Sequence, residues 1–540
     1  MEKLLRIKKL VIEGFTNEKW VEIVHGIDLT LDRGEVLGLI GESGAGKSTI
    51  GMAAMGYTRQ GCRIASGSIV FDGIELFDAT TEVKKSVRGT RIAYVAQSAA
   101  ASFNPAHRLI KQYAEAPVKH GLMSFAEAEK NAVEIYKSLL LPDPENIGYR
   151  YPHQVSGGQL QRAMVAMAMA CRPDIIVFDE PTTALDVTTQ IEVLAAIKNI
   201  TRQYNTAAIY ITHDLAVVAQ LADRIMVLRY GALVEENNAR KLLAEPKKEY
   251  TRKLLSVRSL REDKDLSASE EDVILEAKDV SASYNGKETV LKDINIKVRR
   301  GRTVALVGES GSGKSTLARV ITGLLPPLTG KILYRNNELP PALKSRTRES
   351  LRLMQMIYQM PDTALNPRQK IRRIIGRPLS FYFGMRGRER EDRILELLEM
   401  IELPDHYIER FPTELSGGEK QRICIARALA ANPELIICDE VTSALDQLVA
   451  EDILELLQNL QNKLQVSYLF ITHDLATVKA ISDEIVVMLQ GRIVEQGVKK
   501  EILTPPHHEY TQLLLSSVPE MDPDWLDNLL KERRNNLEQI

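Results

Sequence analysis

A block of sequence motifs occurs twice in the 540 residues, and this internal repeat constrains the fold more than any other feature. GESGAGKST at 41–49 returns as GESGSGKST at 308–316, and SGGQLQR at 156–162 returns as SGGEKQR at 416–422. The later motifs recur at a spacing of 260 residues (416 − 156), whereas the Gly-rich loops recur at 267 (314 − 47). So long a period predicts two duplicated domains rather than a solenoid of short repeats. The second copy is therefore shorter between its Gly-rich loop and the later motifs.

The seam between the two copies is a polar, charge-mixed run that we expect to form a solvated linker at 258–272. The copies then form a first domain at 1–257 and a second domain at 273–518. A tail at 519–540 follows, and its apolar residues recur at helical spacing. These residues are Trp525, Leu526, Leu529 and Leu530. The spacing favours a helix that packs back on its own domain over a helix kept for a separate partner.

Composition indicates an ordinary globular protein, with 44% apolar and 26% charged residues. The 70 Lys and Arg residues against 72 Asp and Glu residues give a net charge of −2, which argues against a general nucleic-acid binder. The four cysteines are dispersed and predict neither a disulfide framework nor a zinc site, so we expect a reducing cytoplasm. The N-terminus lacks the apolar core of a signal peptide. No stretch of about 18 residues is free of charge, so we expect no membrane span.

Each Gly-rich loop stands between an apolar run typical of a buried strand and a helix-prone segment. The runs are VLGLI at 36–40 and VALV at 304–307. In this context the glycines let backbone N–H groups surround phosphate oxygens, and the helix N-terminus adds partial positive charge. The loop lysine can reach the β- and γ-phosphates, and the serine hydroxyl after it can ligate Mg²⁺. These residues are Lys47 and Ser48 in the first copy, and Lys314 and Ser315 in the second. The full predicted phosphate-binding set is Gly41, Glu42, Ser43, Gly44, Ala45, Gly46, Lys47, Ser48, Thr49, Gly308, Glu309, Ser310, Gly311, Ser312, Gly313, Lys314, Ser315 and Thr316.

Two further apolar runs, 174–180 and 434–440, each end in Asp-Glu. An isolated pair of this kind is more typical of a plain turn, but the neighbouring Gly-rich loop favours a catalytic role for these carboxylates. Asp179 and Asp439 are predicted to hold Mg²⁺, and the next residues are predicted to polarise the attacking water. Those water-polarising residues are Glu180 and Glu440.

Two histidines, His213 and His473, each follow another apolar run. Each stands 33 residues after the candidate glutamate (213 − 180 and 473 − 440). A lone histidine is more often a satisfied core residue, but the matching offsets favour a contact with the γ-phosphate. Neutral imidazole can accept one hydrogen bond and donate another, which suits a position between phosphate and water.

The motif order resembles the nucleotide-binding domain of the ABC family, from about Leu5 to Leu515 in two copies. VSGGQ at 155–159 and LSGGE at 415–419 match the family's signature motif, its most specific element. The resemblance implies an α/β fold with two domains. Each domain would have a RecA-like core, an antiparallel β subdomain and a helical subdomain. It also implies an ATPase that binds ATP and Mg²⁺, with Gln97 and Gln359 at the metal and the attacking water.

Family domains pair head to tail, so the resemblance implies two shared ATP sites. The first site would combine Lys47, Ser48, Gln97, Asp179, Glu180 and His213 with Ser416, Gly417 and Gly418. The second would combine Lys314, Ser315, Gln359, Asp439, Glu440 and His473 with Ser156, Gly157 and Gly158. Asp186 and Asp446 would cross the seam between the domains. Adenine would stack on Tyr284 in one site. In the other site Phe15 fits best and Trp20 is the alternative, although either of these two could be core.

Two sequence patterns resemble the peptide/opine/nickel importer branch of the family. An Asn-Pro pair follows each glutamine by seven residues (104 − 97 and 366 − 359), and an EYT motif at Glu249 and Glu509 closes each half. The resemblance implies an energy-coupling subunit for uptake of small peptides or peptide-like solutes such as glutathione. It would lie peripherally on the cytoplasmic face of the inner membrane. Its implied partners are two permease subunits and an extracytoplasmic solute-binding protein, with no nucleic acid.

Departures from the family pattern are few. Val441 replaces the proline that usually follows the glutamate, and we expect no loss of chemistry. Many relatives carry a Cys-rich iron–sulfur site, and the cysteine positions here predict none. Both sites keep their Lys, Asp, Glu and His, so both are expected to turn over ATP.

Two alternative functions remain. A soluble tandem ABC ATPase acting on ribosomes or nucleic acid would usually have a long charged linker or zinc modules. A sugar-importer ATPase often has one degraded site.

The region 344–393 holds 13 Lys/Arg and 5 Asp/Glu, a local net charge of +8. A solvated helical face explains this charge more simply than contact with anionic lipid headgroups.

Overall fold

A computed structural model describes residues 3–16, 18–183, 185–256, 272–443 and 445–538. The chain divides into two units, and the first combines Met1–Ser256 with Pro519–Ile540. The second unit is Val257–Val518. The linker predicted at 258–272 lies, except for Asp272, outside the described residues.

The first unit begins with a four-stranded antiparallel sheet in the order β2-β1-β4-β5. Its strands are β1 (Leu5–Thr16), β2 (Lys19–Leu31), β4 (Cys62–Phe71) and β5 (Ile74–Glu75). Buried and exposed side chains alternate along β1, as expected for a sheet with only one face in the core.

A six-stranded sheet follows in the order β10-β9-β3-β8-β7-β6. Its strands are β3 (Val36–Ile40), β6 (Ile92–Val95), β7 (Ile175–Asp179), β8 (Ala207–Ile211), β9 (Arg224–Arg229) and β10 (Ala232–Asn238). All neighbouring strands are parallel except β9 and β10. β7 and β8 are buried along their whole length, which explains their uninterrupted apolar sequences.

The described part of the first unit has ten α-helices before residue 257. They are α1 (Lys47–Ala53), α2 (Thr81–Val87), α3 (Ala99–Ser102), α4 (Leu109–Lys119), α5 (Phe125–Ser138), α6 (Gly157–Met169), α7 (Val187–Tyr204), α8 (Leu215–Ala219), α9 (Ala239–Ala244) and α10 (Glu249–Ser256). Local chemistry sets several ends: a Ser124–Glu127 capping box starts α5, and Asn205 in the left-handed conformation ends α7.

The second unit repeats both sheets, in the orders β12-β11-β14-β15 and β16-β17-β18-β13-β19-β20. Its strands are β11 (Val273–Ala282), β12 (Leu291–Arg299), β13 (Thr303–Val307), β14 (Thr329–Tyr334), β15 (Asn337–Glu338), β16 (Met354–Ile357), β17 (Leu435–Asp439), β18 (Ser467–Ile471), β19 (Glu484–Leu489) and β20 (Arg492–Val498). β14 has 6 residues where β4 has 10, which accounts for most of the shortening of the second copy.

The helices of the second unit follow the same order. They are α11 (Lys314–Ile321), α12 (Arg348–Leu353), α13 (Pro361–Ala364), α14 (Ile371–Pro378), α15 (Gly387–Met400), α16 (Gly417–Leu429), α17 (Gln447–Leu464), α18 (Leu475–Ile481), α19 (Lys499–Ile502) and α20 (Glu509–Ser516). A π-helical turn, Leu379–Phe383, follows α14 and leads towards α15. Each unit thus has an antiparallel sheet, a mainly parallel sheet and a helical region, and the predicted fold class is confirmed.

The tail forms a helix, α21 (Trp525–Glu538), that belongs to the first unit. The expectation that it packs back on its own domain is therefore wrong. Long-range side-chain contacts, described below, override the proximity of the tail to the second domain in sequence. Among the residues that the structure describes, no helix combines the length and apolar character needed to cross a bilayer.

Candidate functional site

The predicted site residues of each unit lie beyond the carboxyl ends of its parallel strands. In the first unit, β3 leads into the Gly-rich loop, β7 ends at Asp179, and β8 is followed by His213. Because parallel strands place their carboxyl ends at one edge of a sheet, side chains far apart in sequence meet there. The second unit has the same arrangement at the ends of β13, β17 and β18.

The Gly-rich loop of the first unit has a backbone that only glycine accommodates at its first position. Gly41 has φ +150°, and a Cβ there would lie 2.1 Å from the Leu228 carbonyl oxygen. Lys47 is 5% exposed, and its Nζ donates to the carbonyls of Gly41 and Glu42 at 2.7 and 2.9 Å. The lysine is therefore folded against its own loop, at the start of α1, where partial positive charge accumulates.

The second unit reproduces this loop. A Cβ on Gly308 would lie 2.2 Å from the Met488 carbonyl oxygen. Lys314 Nζ donates to the carbonyls of Gly308 and Glu309, both at 2.7 Å. Both loops thus have the shape and charge of a phosphate-binding cradle.

A serine hydroxyl meets a buried aspartate in each unit. Ser48 Oγ donates to Asp179 Oδ1 at 2.8 Å, and Ser315 Oγ donates to Asp439 Oδ1 at 3.0 Å. Burial raises the pKa of Asp439 against the opposing effect of the Ser315 hydrogen bond. A hydroxyl and one carboxylate are a donor set that fits Mg²⁺, which usually takes its other ligands from water and phosphate.

A tyrosine that the sequence did not single out joins this contact in the first unit only. The Tyr94 hydroxyl donates to Asp179 Oδ2. Met356 occupies the matching position of the second unit (356 − 94 = 262, the offset of the Asn-Pro pairs). Asp439 therefore lacks this particular hydrogen bond, and the two sites are not chemically identical.

Glu180 is the centre of a small polar cluster. It accepts a hydrogen bond from Gln97 Nε2 at 3.0 Å, and His213 Nδ1 lies 3.2 Å from its Oε1. Thr183 Oγ1 donates to it at 3.1 Å. Its backbone has φ +50°, a left-handed conformation that is uncommon for a residue with a side chain and often marks a functional position.

Electrostatics within this cluster favour an imidazolium–carboxylate pair. Burial would raise the pKa of Glu180, but the hydrogen bond and charge of His213, with the Lys47 charge, outweigh it and lower that pKa. Burial would lower the pKa of His213, but its contact with Glu180 outweighs this effect and raises it. Each partner thus stabilises the charged form of the other.

The second unit has the same cluster around Glu440, also at φ +50°. Gln359 Nε2 donates to its Oε2 at 2.6 Å, and His473 Nδ1 lies 3.3 Å from its Oε1. The pKa of Glu440 is lowered and that of His473 is raised, because their contact outweighs burial in both cases. Val441 does not disturb this turn, since Ser443 N still donates to the Glu440 carbonyl at 3.2 Å. In both units the glutamine donates a hydrogen bond to the glutamate. Among the described residues, the glutamine makes no hydrogen bond to the serine or aspartate of the Ser–Asp pair.

The signature serines begin helices in their own units. Ser156 forms a capping box with Gln159 at the start of α6, and Ser416 forms one with Glu419 at the start of α16. The two glycines that follow each serine differ in role. A Cβ on Gly158 would lie 2.0 Å from Thr189 Cγ2, whereas a Cβ on Gly157 would meet no atom within 4 Å. The first glycine is open to an approaching ligand, and the second allows close helix packing.

The two signature glycines of the second unit differ in the same way. A Cβ on Gly418 would lie 2.4 Å from Val449, and one on Gly417 would meet only Leu445 at 3.5 Å. Asp186 and Asp446 cap α7 and α17 in their own units.

The adenine candidates have different surroundings. Tyr284 is 53% exposed, and its hydroxyl lies 3.1 Å from Thr316 Oγ1, at the end of the Gly-rich loop. Phe15 and Trp20 are 53% and 40% exposed and their ring centroids are 5.2 Å apart, so neither is a core residue. Arg63 covers the Trp20 ring at 4.2 Å.

The EYT motifs contribute a contact that the sequence analysis missed. The Tyr510 hydroxyl accepts a hydrogen bond from the Glu309 backbone N–H at 2.8 Å, and the Tyr250 hydroxyl accepts one from Glu42 N–H at 3.3 Å. Both tyrosines are buried, and both bonds hold the second residue of a Gly-rich loop. The repetition of EYT was visible in the sequence, but the loop it contacts was not.

The basic region 344–393 is partly neutralised by its neighbours. Lys370 Nζ lies 2.8 Å from Glu409, and Arg372 lies 3.0 Å from Glu391. Arg393 and Glu396 form another ion pair at 2.6 Å. This pairing supports a solvated helical face.

Comparison with known proteins agrees with the site geometry. The ABC transporter family matches residues 24–183 and 291–443, and the oligopeptide/dipeptide transporter C-terminal region matches 494–540. The chain is 36% identical to the glutathione import ATP-binding protein GsiA of Salmonella choleraesuis and 35% identical to that of Escherichia coli O157:H7. Both alignments cover 96% of this chain and 90% of the relative. The solved structure of cbiO1 from Clostridium perfringens is 28% identical over 50% of this chain and all of that one, with a TM-score of 0.40.

Two matched ABC transporter domains make this protein an ATPase that binds ATP. The relatives do not favour an action on ribosomes or nucleic acid. The chain belongs to the ABC transporter family, as a tandem ATP-binding subunit of its oligopeptide/dipeptide importer branch.

Proposed function

We propose that this ATPase drives the uptake of small peptides or peptide-like solutes, with glutathione among the candidates. The match of residues 494–540 to the oligopeptide/dipeptide transporter C-terminal region carries this proposal. The GsiA relatives, whose name describes glutathione import, support it over nearly the full chain. The proposed partners are two permease subunits and an extracytoplasmic solute-binding protein, with the chain at the cytoplasmic face of the inner membrane. We expect no nucleic-acid partner and no iron–sulfur cluster.

The proposed domains are 1–257 and 273–518, and each supplies one half of both ATP sites. The first site takes its loop from Lys47 and its signature from Ser416, and the second takes Lys314 and Ser156. The openness of Gly157 and the solvent exposure of both serines support this sharing, because the signature of each unit remains accessible to a ligand.

Within each proposed site the loop and helix N-terminus bind the phosphates of ATP. Ser48 with Asp179, and Ser315 with its aspartate, would hold Mg²⁺. Bound Mg²⁺ neutralises charge on the β- and γ-phosphate oxygens. Tyr284 would stack on adenine in one site, and Phe15 or Trp20 in the other.

The proposed hydrolysis step centres on Glu180 and Glu440. The carboxylate accepts a hydrogen bond from water and orients it towards the γ-phosphorus. His213 and His473 contact their glutamates, and each would also contact the γ-phosphate of bound ATP. Gln97 and Gln359 would contribute ligands to the metal and contact the attacking water. Because the glutamines contact the glutamates directly, a movement of the glutamine loop would be transmitted to the attacking water.

A permease contact is proposed on the helical side of the second unit. A cleft of about 630 Å³ there is lined in part by Leu324, Tyr358 and Tyr382. Leu324 and Tyr358 are 47% and 43% exposed, and Tyr358 directly precedes Gln359. A permease helix in this cleft would be mechanically close to the glutamine loop.

Transport can be tested in proteoliposomes that contain this chain with its permease subunits and solute-binding protein. We expect ATP-dependent uptake of labelled glutathione or a tripeptide, and no uptake with a Glu180→Gln, Glu440→Gln double variant. Opines and nickel serve as competing solutes. Uptake of only a non-peptide solute would contradict the proposed substrate class, and co-purification with ribosomes instead of permease would contradict the transport role.

A further inference from the structure

The C-terminal segment returns to the first unit and is fixed there by side chains and backbone. Pro519–Ile540 is part of that unit, and α21 packs against α7. Leu526 on α21 is fully buried, and Leu529 is 8% exposed. The segment is therefore seated on an apolar surface rather than lying loosely on the protein.

Gln220, directly after α8, is the polar centre of this contact. It is 2% exposed, and its Nε2 donates to the carbonyls of Glu520 and Asp522 at 2.6 and 3.1 Å. Its Oε1 accepts a hydrogen bond from Leu526 N–H at 3.0 Å. Nε2 also donates to the Ala216 carbonyl at 3.1 Å. One buried amide thus joins the backbone of the segment to α8.

Ion pairs hold the segment on both sides of this amide. Arg240 makes two bonds to the Asp524 carboxylate, at 2.6 and 2.9 Å. Lys198 Nζ, buried on α7, lies 3.0 Å from Asp527 Oδ1. The Lys198 pair is the more sheltered from solvent, so the segment is recognised by charge as well as by apolar contact.

The second unit replaces two of the three residues described above that hold the segment by polar contacts, while Arg240 corresponds to Lys500. At the 260-residue offset, Lys198 corresponds to Gln458 and Gln220 corresponds to Ala480. There Gln458 Nε2 donates to the Ala480 carbonyl at 2.9 Å. In the second unit the corresponding residues therefore hydrogen-bond to each other, and no C-terminal segment is needed to satisfy them.

The matching face of the long helix, α7 or α17, also differs between the two units. Ile191 and Ala195 on α7 are 1% and 2% exposed. The corresponding residues on α17 are Glu451 and Glu455, of which Glu455 is exposed. Because these positions lie one helical turn apart, α7 has an apolar stripe where α17 has a charged one. The duplicated domain thus keeps a docking surface in only one copy.

The docked segment is connected to the first ATP site through α8. This helix begins at Leu215, two residues after His213, and Gln220 follows its last residue. His213 contacts Glu180, as described above. α8 is therefore held by the site at one end and by the C-terminal segment at the other.

We infer that the surface formed by Lys198, Gln220 and Arg240 is a binding site for the chain's own C-terminal segment. Its occupancy fixes α8 and so sets the ATP affinity of the site that contains Lys47. The site that contains Lys314 has no such control. This inference rests on the proposed assignment of the two ATP sites, but the docking itself can be tested without nucleotide.

Docking can be followed by fluorescence in the full chain, because its two tryptophans are Trp20 and Trp525. With Trp20→Phe, emission reports only Trp525 on α21. We expect Leu526→Asp to undock the segment and shift emission to longer wavelength. The matched control is Asn528→Asp, which adds the same charge at an exposed position of the same helix. Arg240→Glu should also shift emission, and adding Asp524→Arg should restore it.

Coupling can be measured with a fluorescent ATP analogue. In a Lys314→Ala background only the first site should bind, and we expect Leu526→Asp to raise its Kd by about fivefold. In a Lys47→Ala background the same substitution should leave Kd unchanged. Unchanged Trp525 emission in Leu526→Asp would overturn the docking, and equal Kd changes at both sites, or none, would overturn the coupling. If the lysine variants do not each remove one binding event, the proposed site assignment fails, and the emission data still decide the docking.

Discussion

Gln359 Nε2 donates to Glu440 Oε2 at 2.6 Å, and the matching Gln97 donates to Glu180 at 3.0 Å. The residue proposed to orient water is therefore bonded to the loop that leads towards the proposed permease contact. This bond gives a direct path by which permease movement could change ATP turnover. Both units contain it, which is the main structural reason to expect two working sites.

Replacing either glutamate should separate ATP binding from hydrolysis. We expect the Glu180→Gln, Glu440→Gln double variant to lower the ATPase rate by about 10²-fold or more, and each single variant to lose the turnover of its own site, because the amide cannot act as the base for water. Nucleotide affinity should remain. Steady-state ATPase and analogue binding would measure both, and full activity in both single variants would refute the proposed role.

The EYT tyrosines should position the Gly-rich loops. We expect Tyr510→Phe to remove about 1 kcal/mol from its loop contact and to raise KM for ATP by about fivefold with little change in kcat. Tyr250→Phe should have a smaller effect, because its bond to Glu42 N–H is longer. Tyr334→Phe is the matched control, since it loses a hydroxyl bond to Glu434 at the opposite edge of the sheet. An equal KM change in the control would rule out specific positioning.

The His–Glu pairs should stabilise the nucleotide-free protein within a limited pH range. The pKa values of both histidines are raised above 6.5, so their contribution is complete below pH 6.5 and is lost as pH rises through the folded value. The pKa values of both glutamates are lowered below 4.5, so their contribution is present above pH 4.5 and is lost in more acidic solution.

The test compares wild type with a His213→Gln, His473→Gln double variant by thermal unfolding. The Tm difference should be greatest between pH 4.5 and 6.5. Its size should be about 2–4 °C for each kcal/mol by which the variant lowers the free energy of unfolding. His25→Gln, which alters an exposed contact with Glu22, serves as the control. A Tm difference that does not vary with pH would contradict the ion-pair assignment.

The two signature glycines should respond differently to alanine. Gly158→Ala should destabilise the first unit by about 1–3 kcal/mol, because its Cβ overlaps Thr189 Cγ2. Adding Thr189→Ser, which removes that methyl, should restore stability. Gly157→Ala should leave stability unchanged and weaken ATP retention at the site that contains Lys314. Equal destabilisation by both substitutions would show that neither glycine is reserved for a ligand.

The sequence predicted the parts of the site that depend on local strand–loop–helix order. Lys47, Asp179 and His213 could be found because each follows an apolar strand and recurs in the second copy. The left-handed backbone of Glu180 could not, because its turn has no glycine to indicate it.

Contacts between residues distant in sequence were also missed. Tyr250 lies 208 residues from Glu42, and Leu526 lies 306 residues from Gln220. Such contacts depend on how helices pack on the finished sheet. The exchange of Lys198 for Gln458 and of Gln220 for Ala480 was present in the sequence, but its meaning required the structure.

If one chain forms two complete ATP sites, it should retain two ATP molecules, and this number can be counted. In a Glu180→Gln, Glu440→Gln double variant, labelled ATP should remain bound through rapid gel filtration at two molecules per chain. Adding Lys47→Ala should reduce this number to one. Retention of a single ATP by the double variant, or none, would show that the chain does not form two complete sites.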